Sequence, residues 1–396
     1  MPTRPCWVEI RTQSLEENYR YLAGIVPAGV ELLAIVKANA YGHSLALCAP
    51  AAVRAGARWL GVTSVEEGIE ARALCPNTEI DVRVLVIGGV FPGQGAELLR
   101  NRLTAVAWEP WQLDELEMAA RGTGARSASV PVHLEIDTGM SRQGVGLDGL
   151  AEVLARFRAG SPLLLEGVMT HLFAAEEADG AITREQLTRM DEALKRIEAA
   201  GMNAEWLNVG NSAALVAGGS RAIVELAERH GMRTMLRPGL ALYGLIPKFE
   251  PGFDSAVLDE ARTRLQPGLS WKTRVVGVRA VPAGAVVGYN GTFVATEPMR
   301  LALVPAGYGD GLDRRLGNHF SLLVRGQRAP LAGRISMDQA VLDVTEIDGV
   351  QPGDEVVILG TQGEETITAF DHAETCGTIP WEVFTRIGPR VRRVAV

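Results

Sequence analysis

The chain has 396 residues, 47% of them hydrophobic and 22% charged, with a formal net charge of -8. That length suggests two domains, or three, and the balance is ordinary for a soluble globular protein. The acidic excess argues against nucleic acid or an anionic membrane as partner, because either wants a basic face. No apolar run approaches the roughly 18 residues of a membrane span, and the start, MPTRPCWVEI, lacks the apolar core of a leader peptide. The four scattered cysteines (Cys6, Cys48, Cys75, Cys376) include no CxxC pair, so a reducing cytoplasm without disulfides is expected. The six histidines never stand three or four residues apart, and no metal site is expected. There is no GxGxxG after a strand and no Walker loop, which argues against nucleotide chemistry.

In chain order, a strand-like WVEIR precedes a helix over 15–23. Leu32-Leu33-Ala34-Ile35-Val36 has the length and bulk of a buried strand. Lys37-Ala38-Asn39-Ala40-Tyr41-Gly42-His43 forms the turn after it, and an alanine-rich helical segment opens at Ser44-Leu45 and ends at Gly56. Short apolar strands then alternate with amphipathic segments. The strands are expected near 32–36, 59–62, 83–87, 103–107, 132–136, 166–170, 206–209 and 234–237, with helices at 65–74, 110–121, 148–158, 183–200 and 220–230. Eight strands in regular βα alternation predict an α/β fold, a (β/α)8 TIM barrel over 1–245. Residues 246–268, rich in proline and glycine, read as a connector. Beyond it the helical period largely vanishes. WKTRVVGVRAV, AVVGYNGTFVA, MRLALVPAGYG, SLLVRG, AVLDVT and DEVVILG predict a mostly β domain, so that 246–396 comprises linker and C-terminal β domain.

Chemistry in such barrels sits at the carboxyl ends of the strands, and the polar punctuation falls there. Lys37 follows the first barrel strand, Asp137 to Arg142 the fifth, His171 the sixth, Asn211-Ser212 the seventh and Arg237-Pro238-Gly239 the eighth. A lysine at that position is partly desolvated, which lowers its pKa and frees an amine to condense with an aldehyde cofactor. The loops Gly210-Asn211-Ser212 and Arg237-Pro238-Gly239-Leu240 are suited to a phosphate, because glycines let backbone amides approach. In the stretch 130–142, Val132, Leu134 and Ile136 face the helices, while His133, Glu135 and Asp137 face into the barrel.

The octet Val36 to His43 resembles the pyridoxal-phosphate lysine motif of alanine racemases, and the resemblance covers the full chain. It implies pyridoxal 5'-phosphate as cofactor, carried by Lys37. Ser212, the Gly239 and Leu240 amides, Tyr41 and the neighbouring Asn211 would surround the phosphate, and Arg237 would face the pyridine nitrogen. Arginine can only donate there, so the ring stays unprotonated and is a weaker electron sink. Arg142 matches the arginine that reaches the substrate carboxylate. Glu135 stands where many relatives carry a carbamylated lysine, and is read as a built-in anion orienting Arg142. Val287-Gly288-Tyr289-Asn290-Gly291-Thr292 is similar to the motif of the second base, Tyr289. Gly333 to Gln339 resembles the segment whose Met337 amide binds the substrate carboxylate. Tyr308 corresponds to an entrance tyrosine, and His171 to the histidine that hydrogen-bonds the catalytic tyrosine. Two departures stand out: Asn208 replaces a histidine near the ring arginine, and Trp381 replaces a tyrosine at the phosphate and inner gate.

The resemblance implies interconversion of L- and D-alanine by two bases, Lys37 and Tyr289, supplying D-alanine for peptidoglycan in the cytoplasm. The substrate is a small amino acid, and the active unit is a homodimer with shared sites. The alternatives are a racemase for serine or several amino acids, a related decarboxylase of basic amino acids, and a non-catalytic carrier of the cofactor.

Overall fold

A computed structural model of the chain describes residues 4–76, 81–122 and 129–396; residues 1–3, at the head of the stretch read for a leader, lie outside it. The chain divides into two units. One comprises residues 13–40 and 48–267; the other takes the segment ending at Thr12, residues 41–47 and everything from Gly268.

The first unit is a closed parallel barrel of eight strands: β2 (Glu31–Ile35), β3 (Trp59–Val62), β4 (Arg83–Val86), β5 (Thr104–Ala107), β6 (Val130–Glu135), β7 (Leu163–Met169), β8 (Trp206–Asn208) and β9 (Arg233–Leu236), with β9 pairing back onto β2. All eight expected strands are present. They read as apolar runs because helices cover the outside and side chains fill the inside, so both faces are dry. Leu33, Leu60, Leu85, Val106 and Leu134 are all completely buried. The helix at 65–74 begins at a Ser64 cap, whose hydroxyl accepts from the Glu67 N–H. The helices also depart from expectation. Gly95–Arg100 is a short helix between β4 and β5, Ser212–Val216 follows β8, and the expected connector contains Ala256–Arg264, capped by Ser255 and anchored by buried Leu258 and Ala261. Spacing of three between those two apolar residues suffices to seat one helical face.

The second unit is mostly β, as expected. Its largest sheet runs Gln327–Pro330, Ser321–Val324, Glu355–Gln362, β10 (Leu269–Arg274), β1 (Cys6–Ile10) and Arg392–Ala395, with Glu365–Ile367 paired onto Glu355–Gln362. Thus β1 belongs to this sheet and not to the barrel unit expected to start at residue 1. It lies antiparallel to β10 (Val8 opposite Trp271) and parallel to the final strand (Val8 opposite Arg393). A further sheet of Gly277–Val281, Met299–Val304 and Ala340–Asp343 and a hairpin of Val286–Val287 with Phe293–Val294 complete the β structure. Two helices, Ala369–Cys376 and Pro380–Thr385, accompany the strands of this mostly β region. No helix among the described residues is long and apolar enough to cross a membrane.

Candidate active site

Lys37 leaves the end of β2 and enters a left-handed turn. Ala38, Asn39, Ala40 and Tyr41 all have φ between 51 and 55°, a conformation in which Cβ crowds the following carbonyl. The turn is tied down by Glu67, whose carboxylate accepts from the Ala38 N–H at 2.7 Å and the Thr63 N–H at 2.8 Å. Burial pushes the Lys37 ammonium below its ordinary pKa. Arg142 and Arg237 push the same way, while Glu67 and Glu135 oppose them.

Arg237 follows β9 and is 5% exposed. Its Nη1 donates to the Asn208 carbonyl at 2.5 Å and the Asn208 Oδ1 at 2.6 Å; its Nη2 donates to the Thr170 carbonyl at 2.6 Å and faces His171 Nδ1 at 3.4 Å. A guanidinium cannot accept, so His171 Nδ1 is the acceptor and its proton resides on Nε2. Burial, with Arg237, Arg142 and Lys37 around it, pushes His171 down to about 3. Burial likewise brings Arg237 down to about 10, with Glu135 opposing and Arg142 adding to the shift. Four of the five guanidinium hydrogens are thereby aimed at protein acceptors, leaving Nε–H. Behind this arginine runs a polar chain. Asn208 spends its oxygen on Arg237, so its Nδ2 donates toward His133 Nδ1 at 3.5 Å. His133 Nε2 faces Glu166 at 3.5 Å, and Arg83 grips Glu166 with two bonds of 2.7 Å. Burial lowers the His133 pKa, so the ring stays neutral near pH 7.

At the ends of β8 and β9, Ser212 Oγ accepts from the Gly239 N–H at 2.9 Å and the Ala241 N–H at 3.1 Å. With both lone pairs engaged, the Ser212 hydroxyl hydrogen is available to an outside acceptor. Leu240 opens a 3-10 turn, so its N–H has no partner within that turn. Asn211 acts as a helix cap, accepting from the Ala214 N–H and donating to the Leu172 carbonyl.

The expected pairing of Glu135 with Arg142 is not what the geometry provides. Glu135, 2% exposed, accepts from Gln143 Nε2 at 2.5 Å, and Gln143 also donates to the Ile87 carbonyl. Among the described residues Arg142 has no carboxylate within ion-pair distance. It sits on an exposed loop whose turn is set by Asp137, which accepts from the Gly139 and Ser141 N–H groups. Burial raises the Glu135 pKa, with Gln143, Arg237 and Arg142 pulling it down.

The β unit carries the remaining residues. Tyr289 is 68% exposed, just after Gly288. Tyr308 and Met337 lie on two loops locked together: the Tyr308 N–H donates to the Ser336 carbonyl, and the Gly309 N–H to the Met337 carbonyl at 2.9 Å. A side chain at Gly307 would overlap the Ser336 and Met337 carbonyls. Fully buried Asp310 anchors this loop. It accepts from the Gly307 N–H at 2.9 Å and pairs with Arg4 and with Arg390 Nε at 2.8 Å. Trp381 sits in the helix Pro380–Thr385, and Gly42, after Tyr41, lies so close to the Phe384 carbonyl of that helix that a Cβ would overlap it. Burial pushes the Tyr41 phenol up to about 12.

A family model for the N-terminal domain of alanine racemase matches residues 10–247, and one for the C-terminal domain matches 268–395. The chain belongs to the alanine racemase family. Its enzyme class, amino-acid racemase, follows from that membership. Alanine racemase 2 of Caldanaerobacter subterraneus subsp. tengcongensis is 36% identical over 99% of this chain and 95% of its own. The crystal structure of alanine racemase from D-cycloserine-producing Streptomyces lavendulae matches with a TM-score of 0.88 at 34% identity, covering 100% of this chain and 98% of that one. The structure from Bartonella henselae, which has covalently bound pyridoxal phosphate, matches with a TM-score of 0.82 at 26% identity, covering 99% of each chain.

The barrel of this racemase-family chain thus gathers Lys37, Glu135, Arg142, His171, Asn211, Ser212, Arg237, Gly239 and Leu240 on the loops and ends of its strands. The β unit separately gathers Tyr308 and Met337. Sequence reasoning missed Glu67, Gln143, Asp310 and Arg390. A signal existed only for Glu67, in the spacing Ser64-x-x-Glu67 at a helix start.

Proposed function

We propose that this enzyme interconverts L- and D-alanine with pyridoxal 5'-phosphate, using Lys37 and Tyr289 as the two bases. The observation that carries the reading is Arg237. It is a buried guanidinium with four hydrogens directed at protein acceptors, so Nε–H is the donor it can offer a ring nitrogen. A donor that holds its own proton keeps that nitrogen unprotonated, which favours returning a proton to the α-carbon over transamination. The Ser212 hydroxyl, the Leu240 N–H and Tyr41 suit the phosphate, and the Lys37 amine suits the aldehyde. When bound, the cofactor makes the α-hydrogen of an attached amino acid acidic.

Lys37, its ammonium destabilised by burial, takes or returns the α-proton at Nζ on one face. Tyr289 serves the opposite face through its phenol oxygen. Two bases on two faces give inversion, which neither achieves alone. His171, neutral with its hydrogen on Nε2, can donate to that phenol oxygen and stabilise it once deprotonated. Arg142 and the Met337 amide bind the substrate carboxylate. The exposure of Tyr289 supports its service to a partner subunit in a two-fold homodimer. The product would supply D-alanine for peptidoglycan in the cytoplasm. Trp381, bulkier than the tyrosine of relatives and only a donor, favours a second reading, a preference extending to serine.

Purified enzyme with added cofactor should form D-alanine from L-alanine; cofactor-loaded protein that forms none would overturn the activity. Lys37→Ala and Tyr289→Phe should each be inactive. Refolded together in equal amounts, half the dimers are mixed and each has one intact site of two, so about a quarter of wild-type activity should return. Persistent inactivity in demonstrably mixed dimers would refute the shared site.

A further inference from the structure

Four consecutive left-handed residues without a glycine, Ala38 to Tyr41, form an unfavourable way to leave a strand. Such a conformation persists only where its surroundings hold it. Glu67 supplies a restraint. One of its carboxylate oxygens takes the Ala38 N–H at 2.7 Å, and the other takes the Thr63 N–H at 2.8 Å. The carboxylate therefore ties the residue after Lys37 to the residue after β3. This is not the usual duty of a glutamate at that place. Ser64 caps the helix Val65–Leu74 and accepts from the Glu67 N–H. In an ordinary capping box the glutamate side chain would return to the N–H of the cap residue itself. Here it reaches past Ser64 to the lysine turn.

We infer that Glu67 is a positioning residue for Lys37: it fixes the left-handed turn from which the lysine side chain departs and places a negative charge beside the amine. The inference rests on the reading of Lys37 as a base. Its electrostatic half agrees with the surroundings. The charged and titratable groups around the amine are Arg142, Arg237 and neutral His171, against the carboxylates Glu67 and Glu135. Without Glu67, two guanidinium groups would face one carboxylate, and the amine would lose its proton more readily.

The test uses Glu67→Gln, which preserves shape but removes the charge and offers one acceptor to two N–H donors. The chain has only four lysines, Lys37, Lys195, Lys248 and Lys272, so acylation of Lys37 in cofactor-free protein can be followed by peptide mass spectrometry across pH. Only the free amine reacts. Below the midpoint of the profile, the variant's Lys37 should react about three- to tenfold faster than wild type. In the loaded enzyme, D-alanine formation should show kcat reduced about tenfold or more, with KM changed less than about threefold. Glu67→Asp keeps the charge but shortens the reach, so it should retain the wild-type acylation profile while losing turnover. Glu66→Gln, one residue earlier and outside the lysine turn, should match wild type in both measurements. Should folded Glu67→Gln show unchanged acylation and unchanged kcat, the residue is only a local helix-end contact and the inference is wrong. Should Glu67→Asp shift the acylation profile as Glu67→Gln does, the charge is not what Glu67 contributes, and the electrostatic half fails. A shifted acylation profile in a protein family of variants that makes no D-alanine, wild type included, would support Glu67 and reject the proposed activity instead.

Discussion

Acid should destabilise this protein through one identifiable histidine. His171 is held neutral beside Arg237, Arg142 and Lys37, with its pKa pushed down to about 3 from an ordinary 6.5. Because the folded value lies below the unfolded one, the unfolded chain binds the proton first. The native state is therefore favoured fully above about pH 6.5 and loses that advantage as pH falls toward 3. At pH 5 the unfolded imidazole is almost wholly protonated and the folded one is not. The difference is worth about 2 kcal/mol by linkage, at about 1.4 kcal/mol per pH unit below 6.5. His171→Gln provides the comparison, since its amide oxygen can still accept from Arg237 but does not titrate. Urea unfolding of the cofactor-free proteins at about pH 7.5 and pH 5 gives the free energies. Wild type should lose about 2 kcal/mol more than the variant over that interval. The other buried histidines, His43, His133 and His372, are common to both proteins and cancel in the difference. Selective 15N labelling should independently show His171 unprotonated at Nδ1 throughout. Equal pH dependence in the two proteins would mean that the folded imidazole accepts a proton, and the donor–acceptor assignment at Arg237 would be wrong.

Three further outcomes test the site. Asn208→Leu removes an acceptor from a buried guanidinium, worth about 1.5–3 kcal/mol, so cofactor affinity measured by fluorescence titration should fall by about tenfold or more; a change under about twofold would show that Asn208 does not hold Arg237. Glu135→Ala and Gln143→Leu should each raise KM for L-alanine more than they lower kcat, and together act less than additively, because they disrupt one contact. Additive effects would show that Glu135 and Gln143 do not act through one contact. Trp381→Tyr should change the ratio of alanine to serine racemisation, and an unchanged ratio would place the indole outside the pocket.

The barrel and most of its polar rim were legible in the amino-acid order. Parallel strands buried on both faces are mostly apolar, so 32–36, 83–87 and 206–209 are visible as short runs bounded by polar turns even with Arg83 and Asn208 among them. Chemistry-bearing residues stand at the ends of those runs because a barrel interior is filled with side chains, leaving the loops as its accessible face. Helices of six to nine residues, such as Gly95–Arg100 and Pro380–Thr385, were not legible, since a turn or two gives the apolar period too few repeats. The rest depends on contacts between distant segments. The strand Cys6–Ile10 looks like any half-buried strand, and only pairing with residues more than 250 positions away assigns it to the β unit. The left-handed path of Ala38 to Tyr41 contradicts local preference, and no propensity reveals it. Which partner Glu135 takes, Gln143 or Arg142, depends on the geometry of the loop turned by Asp137. Glu67 and Asn208 act on Lys37 and Arg237 through space, across gaps of 29 or so residues in sequence. A hydrogen bond is decided by tenths of an ångström and by angle, and sequence spacing carries that information only within a single helix or turn.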